Sequence, residues 1–98
     1  MLVRVVNIQC IAGLEEELRR IGREVLVPVN REAGCVDVYF LEPNPEVNNP
    51  SFGVVSVWPD TETLNQMKNS EKYLALREQM APFIESFTDE LYVSVSEE

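Results

Sequence analysis

Histidine is absent from the 98 residues of this sequence. Its absence excludes Ser–His–Asp triads and Cys–His dyads, histidine-based zinc sites, and a histidine ligand for haem iron. It also removes the only side chain whose unperturbed pKa lies between about pH 5 and pH 8. Any catalysis must therefore rely on carboxylates, Tyr, Lys, Arg, Cys or amide groups, or on the chemistry of the substrate itself.

Basic residues and long apolar runs are also scarce. The chain has 8 Lys and Arg against 17 Asp and Glu, a net charge of -9. This excess repels phosphate backbones and anionic lipid, so we expect no nucleic acid or membrane partner. No apolar run reaches the roughly 20 residues that span a bilayer, and we expect no signal peptide. Cys10 and Cys35 form no CxxC pair, so we expect reduced thiols, no metal site and a cytoplasmic location.

The composition itself is that of an ordinary folded domain. Hydrophobic residues make up 45% and charged residues 26% of the chain, close to the averages for globular proteins. The length suits a single domain, which we place at residues 1–98.

The N-terminal third predicts a strand followed by a helix. Leu2–Cys10 is rich in β-branched residues, which favour strands. After Gly13 the apolar spacing changes to that of an amphipathic helix. Its apolar stripe consists of Leu14, Leu18, Ile21 and Val25. Pro28 is expected to kink or end this helix, although the pattern can continue to Glu32. Asn30, near the helix end, is expected in solvent.

The remaining chain predicts two strands, a broken helix and a last strand. Residues 35–41 alternate between apolar and polar side chains, and a proline-rich loop follows over 42–51. Phe52–Trp58 carries apolar side chains at both its odd and its even positions, which face opposite sides of a sheet. Asp60 and Ser70 are suitable N-caps for two successive helical pieces. The second piece is expected to bend at Pro82, with an apolar face continuing through Phe83, Ile84 and Phe87. The last strand is predicted over residues 91–96.

The resulting order, β-α-β-β-α-β, is that of the ferredoxin-like fold of the α+β class. We expect a four-stranded antiparallel sheet with strand order 4-1-3-2 and helices on one face. Strands 1 and 3 are then central, yet both carry apolar side chains on both faces, whereas a sheet with one wet face normally alternates. The second face therefore needs cover, and we predict a homodimer with two sheets packed face to face. In this order strand 3 separates Cys10 from Cys35, which argues against an intrachain disulfide.

Three segments of the sequence together resemble the antibiotic biosynthesis monooxygenase family of dimeric α/β-barrel proteins. They are Arg-Glu-Ala-Gly-Cys at 31–35, Phe-Gly-Val-Val-Ser-Val-Trp-Pro-Asp at 52–60, and Asn-Ser-Glu-Lys-Tyr at 69–73. The resemblance covers nearly the whole chain in order and spacing. It implies a cofactor-free monooxygenase that uses dioxygen on a small aromatic or quinol-type substrate. The family also contains isomerases, haem-degrading proteins and members without known activity, so the fold does not fix the function.

The sequence departs from that family at two places. Many members carry His near the break in the second helical region, whereas residues 64–70 contain none. Some oxygenase members have Asn four residues before the Trp of strand 3, where this chain has Val54. The first departure argues against the haem-degrading branch, which needs an axial His, and the second argues against binding a substrate anion through that amide.

Five residues are candidates for the site. Trp58 and Asn7 are the catalytic candidates: the indole can donate to or stack on a substrate, and the amide can bind a carbonyl or phenolate from a cavity between sheet and helices. Tyr73 and Arg77, at i and i+4 of one helix, share a face and are candidates for substrate binding, as is Tyr39, which is alternatively part of the dimer interface. The alternative explanations are core residues for Trp58 and Tyr73, an amide with a protein or water partner near a sheet edge for Asn7, and a solvated cation for Arg77.

Three functional hypotheses remain open at this point. The first is a cofactor-independent monooxygenase, the second an isomerase of a small carbonyl compound, and the third a non-catalytic dimeric domain that binds a small ligand or another protein. A cavity containing both Asn7 and Trp58 would favour an enzyme over the third.

Overall fold

Residues 1–95 are described by a computed structural model, in which the helices cover one face of a four-stranded antiparallel sheet. The strands are β1 (Leu2–Cys10), β2 (Asp37–Leu41), β3 (Phe52–Trp58) and β4 (Ile84–Val93). The helices are α1 (Glu15–Ile21), α2 (Val27–Glu32), α3 (Thr61–Lys68) and α4 (Glu71–Met80). The sheet order is β2-β3-β1-β4, which confirms the predicted fold class and strand order.

The two central strands begin and end at the predicted residues. They pair antiparallel, with Val5 opposite Val55 and Ile8 opposite Phe52. Because side chains alternate along a strand, the even-numbered positions of both strands face the helices, and Ile8 and Phe52 are almost completely buried there. The odd-numbered positions face the other side of the sheet.

The first helix continues through Pro28 by means of a wider turn. Gly22–Leu26 is a π segment between α1 and α2, in which the Val27 N–H donates to the Gly22 carbonyl. The widened turn lies directly before Pro28, where an α-helical proline ring crowds the carbonyl four residues earlier. The extra residue also moves the apolar stripe by one position, so Leu26 is buried where Val25 was predicted to be.

Gly22 allows this helix to approach β2 closely. A Cβ atom at this position would lie 2.4 Å from carbons of the Phe40 ring, which itself stacks on Phe52. In an ordinary helix Gly→Ala stabilises by up to about 1 kcal/mol. Here we expect Gly22→Ala to destabilise by about 1–2 kcal/mol in urea unfolding, because the overpacked ring must move. Gly22→Ala combined with Phe40→Leu should recover most of the loss, and a stabilised single variant would contradict this packing.

The C-terminal part differs from the prediction. Helix α4 ends at Met80, Pro82 lies in a 3-10 turn, and β4 begins already at Ile84. The expected helical face through Phe83, Ile84 and Phe87 is therefore wrong, and of the strand predicted over residues 91–96 only residues 91–93 belong to β4, as its end. The reason is long-range pairing, since β4 matches β1 from Cys10 opposite Ile84 to Leu2 opposite Val93. Ser96 lies outside the described residues.

Both predicted N-caps are confirmed. The Asp60 carboxylate accepts a hydrogen bond of 2.7 Å from the Thr63 N–H at the start of α3. The Ser70 hydroxyl accepts one of 3.2 Å from the Tyr73 N–H at the start of α4. The break between these helices lets α4 take its own direction across the sheet, with Leu76 and Met80 buried beneath it.

The side of the sheet away from the helices carries no further layer among residues 1–95. Its centre is formed by partly buried valines, and its β2 edge by exposed large side chains. These residues are Val3, Val5, Val55, Val57, Tyr39 and Leu41. We call this surface the open face. Within the described range, no helix is long and apolar enough to cross a bilayer.

Candidate functional site

A cavity of about 530 Å³ lies between α4 and the helix-covered side of the sheet. Its volume is within the range of small-molecule sites, roughly 300–1,000 Å³. The floor and sides are apolar and come from β1, β3, α4 and the π segment. The apolar lining includes Val6, Ile8, Val54, Leu26, Leu76 and Met80. This arrangement suits a flat apolar ligand of moderate size.

Arg4 provides the polar wall of the cavity. It occupies an even position of β1, so its side chain points toward the helices, and it is only 8% exposed. Its Nε and Nη2 donate to the two carboxylate oxygens of Asp89 on β4 at 3.0 and 2.7 Å. Nη2 also donates to the Tyr73 hydroxyl on α4 at 2.8 Å. One side chain thus joins β1, β4 and α4 at the wall of the cavity.

This ion pair stays charged across the usual pH range. Burial on its own lowers the pKa of Arg4, but the hydrogen bonds to Asp89 and Tyr73 outweigh it and raise the pKa above its ordinary value. The hydrogen bond from Arg4 lowers the pKa of Asp89 against the opposing effect of burial. A carboxylate with a lowered pKa is a weak proton acceptor, so Asp89 fixes Arg4 and is unsuited to be a general base.

Tyr73 and Arg77 both line the cavity, as their spacing on one helix face predicts. The aromatic ring of Tyr73 also packs under Arg4, whose guanidinium carbon lies 5.5 Å from the ring centroid. The Tyr73 hydroxyl accepts from Arg4 and, within residues 1–95, donates to no protein acceptor. Its proton is therefore free to meet a ligand oxygen.

Asn30, Ser56, Glu85 and Ser86 are further polar residues of the lining. Asn30 was expected in solvent, but it is only 3% exposed, and its Nδ2 donates to the Leu26 carbonyl at 2.9 Å. The expectation is wrong because the π segment shifts the following residues around the helix axis and turns Asn30 toward the sheet. Ser56 lies on the helix-facing side of β3, as its even position requires.

Trp58 does not lie on the cavity wall. It is completely buried against Leu64 and Met67, and its Nε1 donates to the Ser56 hydroxyl at 2.9 Å. This hydrogen bond links it to the cavity through Ser56, and Tyr73, a second lining residue, packs against the same cluster. The interpretation of Trp58 as a core residue agrees with this placement.

Asn7 and Tyr39 lie on the open face, away from the cavity. The Asn7 side-chain oxygen Oδ1 accepts from Gln9 Nε2 at 2.9 Å, and the Tyr39 hydroxyl donates to the Asp37 carboxylate at 2.6 Å. The expectation that Asn7 faces a cavity between sheet and helices is wrong, because odd positions of β1 point the other way. Asn7 and Trp58 therefore lie on opposite sides of the sheet.

Arg4 and Asp89 are the site residues that the sequence reasoning missed. The sequence does indicate Arg4, since it lies at an even position of β1, as Val6 and Ile8 do, and is the polar residue on that otherwise apolar face. Asp89 gave no such signal, because residue 89 was not recognised as part of a strand.

The cysteines and acids offer no metal centre in the part of the chain that is described, where no group of three ligands comes together. Cys10 and Cys35 are free, as predicted. Burial raises the pKa of both thiols, which disfavours the nucleophilic thiolate.

The fold is shared with solved structures, although no family model matches the sequence and no curated protein matches it. A Nitrosomonas europaea protein provisionally named antibiotic biosynthesis monooxygenase is 18% identical, with a TM-score of 0.83 over 98% of this chain and 100% of that one. One of the same provisional name from Deinococcus radiodurans is 11% identical, with a TM-score of 0.86 over 99% and 95%. A Pseudomonas aeruginosa protein is 20% identical, with a TM-score of 0.81 over 97% and 94%.

At these identities the likeness concerns the fold. It confirms, at that level, the resemblance drawn from the three sequence segments.

Proposed function

We propose that this chain is a cofactor-independent monooxygenase that acts on a small aromatic substrate of the hydroquinone or anthrone type. The observation that carries the proposal is the apolar cavity with Arg4, Tyr73 and Arg77 on its wall. Such a cavity accepts a flat ring system and offers donors to an oxygen that becomes negative during the reaction. The names of proteins with the same fold support the same chemistry.

The proposed reaction needs no redox group from the protein. The substrate loses a proton to form an electron-rich anion, which passes one electron to dioxygen. The resulting radicals combine, forming a C–O bond to a peroxide. Protonation of the outer oxygen, cleavage of the O–O bond and loss of the C–H proton release one water and leave a carbonyl. An anthrone and dioxygen thus give an anthraquinone and water. One atom of the dioxygen ends in the anthraquinone and the other in the water.

The protein contributes orientation, exclusion of water and stabilisation of the anion. The apolar side chains hold the ring, while Tyr73 and Arg77 offer donors to its oxygen. Glu85 is the only carboxylate among the described lining residues, and we propose it as the acceptor of the substrate proton. Without histidine, this group or unaided ionisation of the substrate must supply the anion.

Oxygen uptake with a panel of hydroquinones and anthrones tests the proposal. We expect uptake of one dioxygen for each anthrone converted to an anthraquinone or each hydroquinone converted to a hydroxyquinone, with water rather than hydrogen peroxide as the second product. Tyr73→Phe should lower kcat/KM by about 10- to 100-fold, because it removes a donor to a charged oxygen. Tyr92→Phe, the same change at an exposed tyrosine outside the cavity lining, should leave the rate unchanged. Uptake no faster than in buffer for every compound would contradict the proposal.

A binding domain without catalysis is the second candidate. Two observations favour it: neither Trp58 nor Asn7 lies in the cavity, and Val54 stands where some family members have Asn. Stoichiometric binding of an aromatic compound without oxygen uptake would support this alternative. Isomerisation of a small carbonyl compound without oxygen uptake would point to the third hypothesis, the isomerase.

We further propose that the chain acts in the cytoplasm as a homodimer joined through the open face. The support is physical, since Val5 and Val55 lie opposite each other at the centre of an apolar surface with no cover in one chain. Light scattering should give about 22 kDa, twice the 11.2 kDa of one chain. Val55→Glu should lower the measured mass toward the 11.2 kDa of one chain. Glu62→Gln, at an exposed position of α3, should leave the mass unchanged. A wild-type monomer at high concentration would contradict the interface.

A further inference from the structure

The wall of the cavity contains a hydroxyl whose direction is set by its neighbour. A tyrosine hydroxyl has one proton to donate and lone pairs to accept. At Tyr73 the accepting side is occupied by Arg4 Nη2 at 2.8 Å. Because arginine only donates, Tyr73 cannot direct its proton toward Arg4. The proton is therefore left for the cavity.

Asp89 makes this arrangement rigid. Its two oxygens accept from Nε and Nη2 of Arg4, a bidentate pairing that fixes the plane of the guanidinium group. A lysine at this position would keep the charge but could not contact both carboxylate oxygens and the hydroxyl in this geometry. Arg4 thus touches two partners and holds both in place.

We propose that Arg4 is a positioning residue that directs the Tyr73 proton into the cavity, so that the cavity selects planar ligands with an ionised oxygen over neutral ligands of the same shape. The proposal rests on the cavity being the ligand site, as in the proposed function, but it does not depend on oxygen chemistry. Arg77, the second cation on the lining, adds attraction for the same anion.

Because the chain is strongly acidic, a preference for anions has to come from groups within the cavity. The net charge of -9 repels an anionic ligand as it approaches. Selection for an anion must therefore come from donors at short range, where the low dielectric of a partly buried wall strengthens them. Tyr73 and Arg77 lie on one face of α4 at the cavity wall, and the Arg4 guanidinium lies over the Tyr73 ring.

The probe for this proposal is 2-hydroxy-1,4-naphthoquinone, which is ionised at pH 7 and does not consume oxygen. Its neutral counterpart is 2-methoxy-1,4-naphthoquinone, which has the same ring frame but cannot ionise. Dissociation constants are measured by absorbance or calorimetry without a reductant. We expect the wild type to bind the hydroxyquinone at least about 10-fold more tightly. Equal affinity, or no binding of the hydroxyquinone, would overturn the proposal.

Three variants separate positioning from direct contact. Tyr73→Phe should remove most of the preference, leaving the part that Arg77 contributes, and should leave the affinity for the methoxyquinone unchanged. Asp89→Asn should reduce the preference several-fold without touching the ligand, since it loosens Arg4. Arg4→Lys should reduce it by a similar factor, but should cause no further loss when Tyr73→Phe is already present. Additive losses would show that Arg4 binds the ligand directly and would overturn its positioning role.

Controls distinguish these outcomes from failure of the fold or of the proposed function. Each variant is compared with the wild type by circular dichroism and urea unfolding, and Asp89→Asn serves if Arg4→Lys does not fold. Tyr92→Phe, at an exposed tyrosine outside the cavity lining, should retain the full preference. If the anion preference is found but no compound supports oxygen uptake, the proposed monooxygenase is wrong and this inference stands. If oxygen uptake is found without any anion preference, this inference is wrong and the proposed monooxygenase stands.

Discussion

Replacement of Trp58 by alanine is expected to lower the free energy of unfolding by about 3–5 kcal/mol. The side chain is completely buried against Leu64 and Met67, and its removal leaves both a cavity and an unpaired Ser56 hydroxyl. A small domain has a total stability of roughly 5–15 kcal/mol, so the variant should be partly unfolded at 37 °C. Urea unfolding followed by circular dichroism measures the loss.

Two further variants test this interpretation of Trp58 as a structural residue. Tyr92→Ala, which truncates an aromatic residue that is 51% exposed, should change stability by less than about 0.5 kcal/mol. Trp58→Phe keeps most of the packing and should bind the hydroxyquinone as the wild type does. A folded Trp58→Phe protein that loses that affinity would show that the indole contributes to the cavity after all.

Arg4→Met is expected to cost about 2–3 kcal/mol at pH 7. Removing one partner of a fully buried ion pair costs roughly 3–5 kcal/mol, because the other charge remains without a partner. Here the Asp89 side chain is 28% exposed, so water compensates part of the loss. Arg77→Met, which removes the exposed cation on the same wall, should cost less than about 0.5 kcal/mol.

The penalty of Arg4→Met should depend on pH. Arg4 lowers the pKa of Asp89 in the folded state relative to the unfolded chain. The stability from this pair is therefore complete above the ordinary aspartate pKa, near 4, and is lost progressively as the pH falls from there through the lowered pKa of the folded state. Unfolding at pH 7 and pH 3 should show a larger difference between wild type and Arg4→Met at the higher pH than at the lower. An equal penalty at both would mean that lost packing is responsible.

The parts of the fold that follow local rules could be predicted from the sequence. The bounds of β1 and β3 and the caps at Asp60 and Ser70 depend on nearby residues, and they are confirmed. The start of β4 could not be found this way. Ile84 and Phe87 have a spacing that fits a helix as well as a strand, and only pairing with β1 decides between them.

The candidate site was predicted where helix geometry determines which residues share a face. Tyr73 and Arg77 meet at the cavity for that reason. The strand residues were harder, because both parities of β1 are apolar and either could face the helices. Asn7 stands out by polarity but lies on the open face, whereas Arg4 is the polar residue on the helix side. Tertiary packing decides whether the odd or the even positions of β1 face the helices.

The π segment between α1 and α2 has a consequence for how related sequences should be aligned. A π turn corresponds to one inserted residue in a regular helix. Relatives whose helix is uninterrupted should therefore require a one-residue gap within Gly22–Leu26. Without that gap, every later helix position would be compared with a neighbour from a different face, and Asn30 would be aligned with a solvent-facing residue. The π turn thus decides which helix residue reaches the cavity, and here that residue is Asn30.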